Sequence, residues 1–468
     1  MTEKTQKIEN LPLWKKIMWA VGQFGWSMTT FAVFNLLTYF YLPPETGDST
    51  GIPPLIFQGT IIGVMTIIGL ASFGGRFFDA ITDPWIAGIS DRSTSRWGRR
   101  RFFLMISVVP FALFSALVFF PPFPQPGPGN TAWVITTITL FYIFNTMYTI
   151  PFTALVPELG HTSKERLFLS TIGSVAWALG FFVGQATWLI KGLLQSKGFS
   201  AIQAMQSTIT FFAILGFVAM LVPIIFIDEK RYCKRHVSRE GTLEGLIKAF
   251  GNRDFRRFTL ADFSYFVSNT ILEIGIVYYV TVLMGLKESL TFTLMAVMFI
   301  LSFVFYPAVV KVTNAVGKKK IMFWAFLIQV GIYIAIAVSG LIPGINPTVW
   351  GWSIILIESI PVAIFGIIPT AMVSDIAKAD GIRTGNYKEG IFMGARCFMM
   401  KFGASFANLI FPSMLILGRS IENPLGVRMT AIVALGFNLL GIVMLLSYSE
   451  KRINLQLAKE ESQLVGEI

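Results

Sequence analysis

The sequence is poor in charge and in the side chains of covalent and metal chemistry. Charged residues make up 14% of its 468 positions, against 54% hydrophobic residues. Soluble domains carry about 25% charged residues, so a water-soluble globular chain is excluded. There are two cysteines, Cys233 in a basic stretch and Cys397 in an apolar run, and neither belongs to a disulfide framework or a metal-binding spacing. The two histidines, His161 and His236, fall in expected loops and leave little for a catalytic triad or a histidine metal site. With no HExxH-like pattern either, no enzyme and no cofactor are expected. The formal charge of +12 comes from basic residues spread between hydrophobic runs, not from a basic domain, so nucleic acid is not an expected partner. The stretch Met1 to Lys16 is charged and leads straight into an apolar run, with no small-residue cleavage site and hence no expected removable signal peptide.

What the chain has in abundance is long apolar stretches. It carries 44 phenylalanines, and its mean hydropathy is +0.65. Twelve runs are candidates for crossing a bilayer: 13–41, 54–89, 102–121, 131–157, 168–190, 206–227, 258–285, 290–311, 321–341, 349–377, 389–417 and 428–448. Several exceed the roughly 20 residues a span requires, which implies tilt or extension beyond the bilayer. With the N-terminus inside, the inside segments carry 30 of the 38 lysines and arginines and the outside loops 5, namely Lys191, Lys197, Lys287, Arg419 and Arg428. The positive-inside rule then places both termini in the cytoplasm. The loop Pro121-Pro122-Phe123-Pro124-Gln125-Pro126-Gly127-Pro128-Gly129 admits no helix running through it.

Two matches at nearly one offset indicate an internal repeat. Trp97-Gly98-Arg99-Arg100-Arg101 precedes the third span and Val316-Gly317-Lys318-Lys319-Lys320 the ninth. Pro151-Phe152-Thr153-Ala154 ends the fourth span, and Pro369-Thr370-Ala371-Met372 sits near the end of the tenth. The expected organisation is an all-α polytopic membrane protein of two pseudo-symmetric six-helix bundles. Residues 1–227 form the first, 228–257 a cytoplasmic middle loop, and 258–468 the second with a cytoplasmic tail. Transporters built from repeats place their site where the repeats meet.

The second span holds the most informative stretch, Gly74-Gly75-Arg76-Phe77-Phe78-Asp79-Ala80-Ile81-Thr82-Asp83-Pro84. Asp79 and Asp83 are spaced i, i+4 on one helix face, with Arg76 one turn earlier. A charge deep in a bilayer costs roughly 2.5–3.5 kcal/mol on insertion scales, so such a face looks at protein or a water-filled path. The bland alternative is an ion pair that locks two helices. One cation cannot neutralise two carboxylates, which favours a cation or substrate site.

Other buried polar residues extend the candidate set. In the first span Gly22 and Gly25 suit close helix packing, and Trp26 would either stack on a sugar ring or fill the core, next to Ser27. In the fourth, Asn145-Thr146-Met147-Tyr148-Thr149-Ile150-Pro151 puts hydroxyl oxygens beside a proline that frees a backbone carbonyl, and oxygen atoms suit a hard cation. Glu273 and Glu358 are further acids within spans. Lys401 lies too deep to snorkel and needs an anionic partner or substrate, whereas Arg396 is nearer the span's end and is read as structural. The loop from Ser90-Asp91-Arg92 to Arg101 reads as a latch, with anionic lipid as the other candidate.

These residues resemble the major facilitator superfamily, and within it the glycoside–pentoside–hexuronide:cation symporters, of which melibiose permeases are a type. The resemblance rests on Arg76-x-x-Asp79-Ala80-x-x-Asp83-Pro84, the loop to Trp97-Gly98-Arg99, Ile150-Pro151-Phe152 to Val156-Pro157, and Met400-Lys401-Phe402-Gly403. It covers nearly the whole chain. It implies a cation site at Asp79 and Asp83, which would be the metal ligands if the ion is Na+, completed by Thr82 and Thr146. It implies substrate contacts from Lys401 and Arg76, to which Trp26, Ser27, Thr149 and Glu273 are added by position. Ser27 and Thr149 stand where melibiose-type members carry sugar-binding aspartates, and no arginine matches the one usual early in the fifth span.

The function implied is secondary active transport: Na+- or H+-coupled symport of a sugar or glycoside by alternating access. An animal lysolipid symporter is similar in the Asp pair and around Lys401, so the alternative is a cation-coupled transporter of a lysolipid or other amphipathic solute. The expected partners are the small-molecule substrate, the coupling cation and membrane lipid. The expected state is a monomer in a bacterial inner membrane.

Overall fold

The computed structural model describes residues 9–45, 51–233, 248–385 and 389–457. His236 and most of the expected middle loop lie outside the described residues. Among these residues, twelve long helices follow in chain order. In the first half they are α1 (Leu13–Phe31), α2 (Ile67–Arg92), α3 (Arg99–Leu117), α4 (Pro128–Leu159), α5 (Ser163–Gln185) and α6 (Ala201–Phe226). In the second half they are α7 (Arg253–Tyr278), α8 (Leu290–Val316), α9 (Lys318–Ala337), α10 (Pro347–Thr384), α11 (Glu389–Met414) and α12 (Leu425–Ser447). A two-stranded ribbon, Thr60–Ile62 with Met65–Thr66, precedes α2.

Local chemistry sets the helix starts. Pro128 and Pro347 occupy the first turn of α4 and α10, where a missing N–H costs nothing. Thr162 with Glu165 and Ser200 with Gln203 form capping boxes at α5 and α6. Ten helical spans among the described residues are long and apolar enough to cross a membrane. The two helices not among them are α1 and α2. The latter carries Arg76, Asp79 and Asp83 in its middle.

The chain divides into two compact units, one holding α1 to α6 and the other α7 to α12. The helix pairing is the same in both. In the first unit α1 packs on α5 and α6, α2 on α4, and α3 on α4 and α6. In the second α7 packs on α11 and α12, α8 on α10, and α9 on α10 and α12. The first helix of each unit also runs into a π-helical turn, Ala32–Leu36 after α1 and Tyr279–Leu283 after α7. Close packing drives such association in a bilayer, where apolar contact alone does not separate helix from lipid. Gly25 shows it: a Cβ there would lie 2.7 Å from the Ala219 Cβ of α6. Large apolar side chains such as Val304, Trp324 and Val349 face outward.

The repeat extends to a glutamate at the start of α3 and of α9, buried in the first case and half-buried in the second. Both helices begin after a glycine with positive φ, Gly98 at 108° and Gly317 at 92°. Glu229 Oε2 accepts from the backbone N–H groups of Arg100 and Arg101 at 2.7 and 3.0 Å. Glu450 accepts from those of Lys318 and Lys319 at 2.8 and 3.1 Å. Arg100 also pairs with Glu158 at 3.2 Å, and Lys318 with Asp375. Each glutamate satisfies two donors that a helix N-terminus leaves unpaired. Glu450→Ala removes that cap and is expected to cost about 1–2 kcal/mol, the range of N-cap losses. A lower thermal midpoint of the purified protein in detergent would show it, and an unchanged midpoint would deny the cap its role.

Candidate functional site

The candidate site of the first unit is built on Asp79. Gly75, one turn earlier in α2, lets that helix approach α4 closely: a Cβ there would overlap the Tyr142 ring and lie 2.9 Å from Ile138 Cγ2. That approach brings the Asp79 carboxylate against Asn145 and Thr146 of α4, and Asp79 is 3% exposed. Asp79 Oδ1 accepts from Asn145 Nδ2 at 3.2 Å and from the Thr146 hydroxyl. Asn145 Oδ1 in turn accepts from the indole N–H of Trp26 in α1 at 3.0 Å. Three helices therefore meet in one hydrogen-bonded chain, Trp26 to Asn145 to Asp79, with Thr146 beside it.

The remaining residues singled out in this unit have separate surroundings. Asp83 lies one turn beyond Asp79 and is half-buried. Thr82 donates to the carbonyls of Phe78 and Asp79 at 3.0 and 3.2 Å, so its hydroxyl proton is held within its own helix. The Arg76 guanidinium sits 3.8 Å over the Phe34 ring, in the π-helical turn after α1, a cation–π contact. Ser27 donates to the Trp177 carbonyl of α5 at 2.6 Å. Thr149 is buried, and its carbonyl accepts from the Thr153 hydroxyl at 2.9 Å.

Glu273 and Lys401 belong to the second unit. Glu273 Oε1 accepts from Asn269 one turn earlier in α7 at 2.8 Å. Lys401 is half-buried in α11, and its carbonyl accepts from Ser405 at 2.8 Å. The same unit holds an ion pair that sequence reasoning missed. Asp262 of α7 is 1% exposed, and its Oδ2 accepts from Arg396 Nε at 2.8 Å. Arg396 Nη1 also donates to Thr370 of α10 at 3.1 Å, so this arginine ties three helices together. Glu358, fully buried, accepts from Gln329 of α9 at 2.8 Å.

Lys191 departs from the sequence expectation of an outer-loop residue. It lies in a helical extension of α5, Thr187–Ser196, and is 1% exposed. Its ammonium donates to the Tyr39 hydroxyl at 2.6 Å and stands 4.7 Å from that ring's centroid. The aromatic partner makes this inward position tolerable. Asn145, quoted in the fourth-span motif, is the site residue whose part was not foreseen; its signal was an amide adjacent to a threonine on the helix facing the charged span.

Among the described loop residues, His161 and Cys233 are held in ordinary structural contacts. His161 has its ring nitrogens 2.9 Å from Asn10 Oδ1 and 2.8 Å from the Tyr232 carbonyl. Cys233 is half-buried; its burial, reinforced by the charges of Glu158 and Glu229, pushes its thiol up. An activated cysteine requires the opposite. The Asp79 network, by contrast, puts carboxylate and hydroxyl oxygens within one buried cluster, the kind of donor a hard cation takes when it sheds water.

Comparison with known proteins agrees with the fold. The pattern of the family described as MFS/sugar transport protein matches residues 19–446. An isoprimeverose transporter of Lactiplantibacillus pentosus is 23% identical over 430 residues, covering 89% of this chain and 82% of its own. An uncharacterised symporter of a Synechocystis strain is 32% identical over 195 residues, 41% of this chain, and the match spans only 32% of that relative's length. The crystal structure of a D-xylose–proton symporter superposes with a TM-score of 0.63 at 12% identity, covering 93% of this chain and 96% of that one. At that identity the likeness shows the all-α fold alone.

Proposed function

Because the chain belongs to the MFS/sugar transport protein family, we propose that it is a cation-coupled symporter of a sugar or glycoside that works by alternating access. The observation that carries this reading is Asp79, a buried acid in the middle of a long helix, held by the Thr146 hydroxyl and the Asn145 amide. A cation there, shared with Asp83 one turn on, offsets charge that the bilayer otherwise penalises. Cation and substrate then raise each other's affinity by linkage, and rocking of the two halves exposes the site to each side in turn. Na+ is the ion for which the oxygen set is best suited, with H+ as the other candidate. Trp26, Thr149, Arg76, Ser27, Glu273 and Lys401 are the proposed substrate contacts. The bias of 30 of 38 basic residues to alternate loops supports cytoplasmic termini, and a bacterial inner membrane is the proposed setting. The working unit is taken to be a monomer.

A thermal-shift screen of the purified protein tests the reading. NaCl is compared with choline chloride across pH, against sugars, glycosides and lysolipids. A ligand at a hundred times its Kd stabilises the folded state by about 2.7 kcal/mol. The expected result is an Na+-dependent rise that grows with one sugar or glycoside. A rise with lysolipids alone would replace the sugar by an amphipathic substrate. No rise with Na+ at any pH would remove sodium, and uptake into vesicles under an imposed pH gradient would then decide for or against H+.

A further inference from the structure

The hydrogen bonds around Asn145 have a direction that chemistry dictates. An indole N–H only donates and a carboxylate only accepts. A side chain bridging the two must offer an acceptor to one and a donor to the other, and an amide does both. Asn145 therefore holds its oxygen toward Trp26 Nε1 at 3.0 Å and its nitrogen toward Asp79 Oδ1 at 3.2 Å. The partners fix this assignment, which density or packing alone leaves open for an amide.

A metal cation on Asp79 Oδ1 conflicts with that arrangement. It needs oxygen atoms around it, whereas Asn145 points an N–H at the same carboxylate oxygen, which also accepts from the Thr146 hydroxyl. The Thr146 hydroxyl can rotate and present its own oxygen to the ion, whereas the amide makes room on that side only by turning over or withdrawing. If it turns over, its NH2 group faces the indole N–H, and two donors oppose each other. If it withdraws, the acceptor for the indole is gone. Either way the bond to Trp26 breaks. A proton on the Asp79 carboxyl imposes no such change, because the neutral acid still presents an acceptor oxygen. Asn145 is 3% exposed, so water is poorly placed to take over its bonds, while Trp26 is only half-buried.

We propose that Asn145 is the positioning residue that couples the cation to the substrate: a metal cation at Asp79 displaces the Asn145 amide and thereby releases Trp26. This rests on the symport reading above and deepens it by naming the residue between the two ligands. It also makes the relay selective, since it responds to Na+ and not to H+.

The test uses Na+ alone as the probe, with the full chain in detergent and choline chloride as the ionic-strength control. The chain holds 11 tryptophans, so the Trp26 signal is taken as the emission of the unsubstituted protein minus that of Trp26→Phe. Asn145→Ala and Asn145→Ser are measured alongside, with the thermal midpoint of each recorded with and without Na+. The expected result is an Na+-dependent change in the Trp26 signal that both Asn145 variants lose, while Na+ still raises the midpoint of Asn145→Ser. A Trp26 change that persists in both variants overturns the relay. So does a native protein whose midpoint rises with Na+ while Trp26 stays silent, a result that needs no variant to fold. A native midpoint indifferent to Na+ would instead remove sodium coupling itself, and the relay with it.

Discussion

Asp79→Asn is expected to abolish Na+-stimulated uptake and the Na+-dependent thermal shift while leaving a folded protein. The amide is isosteric with the carboxylate, and its oxygen still accepts from the Thr146 hydroxyl and from Asn145 Nδ2. What it loses is the charge. Two unit charges 4 Å apart interact by about 4 kcal/mol at an effective dielectric of 20, and a bound cation stands closer than that. A loss of at least about a thousandfold in cation affinity follows. Asp83→Asn tests the neighbouring carboxylate in the same way. The two variants separate a shared cation from one held by Asp79 with Asp83 serving only as a second charge. Cation stimulation that survives Asp79→Asn would sink the assignment. If Na+ stimulation survives in neither variant but uptake driven by substrate alone continues, coupling has been removed and the transport path kept.

How much of this was legible in the sequence differs by kind of residue. The twelve helices were legible because hydropathy is a one-dimensional signal and bilayer thickness sets its length. Asp79 was legible because a carboxylate in an apolar run is costly wherever its partner lies. Asn145 was not, because a neutral amide in a span acquires meaning only from what faces it, here an indole from α1 and a carboxylate from α2. Lys191 was placed in a loop because lysines at the end of apolar runs usually snorkel outward, and the Tyr39 hydroxyl turns this one inward. The repeat was visible in Gly98 and Gly317. The glutamates that complete it, Glu229 and Glu450, follow the sixth and twelfth helices, and each opens a Glu-Lys-Arg triplet, a match too short to stand out alone. Only the structure shows that each caps the helix after its repeat glycine.

Asp262 was hidden for a further reason, and it carries the largest expected effect on stability. It lies a few residues after Arg256 and Arg257, where a charge reads as interfacial. The structure instead makes it almost fully buried and joins it to Arg396, 8% exposed, across α7 and α11. Replacing a buried ion pair with well-packed apolar groups can be neutral, but removing one partner strands the other charge and costs about 3–5 kcal/mol. Asp262→Ala is therefore expected to destabilise the second unit by that amount, with a fall in thermal midpoint and in the yield of folded protein. Arg396→Leu should do the same from the other side, leaving the Asp262 carboxylate without its guanidinium. The double variant Asp262→Ala with Arg396→Leu should recover most of the loss, because no charge is then left alone. A double variant as unstable as the sum of the singles would mean that the two residues act through separate contacts, Thr370 among them for Arg396. Recovery would show that the pair's contribution is the mutual compensation of two charges, which places it in the framework that holds α7 against α11, a role separate from the one proposed for the Asp79 network.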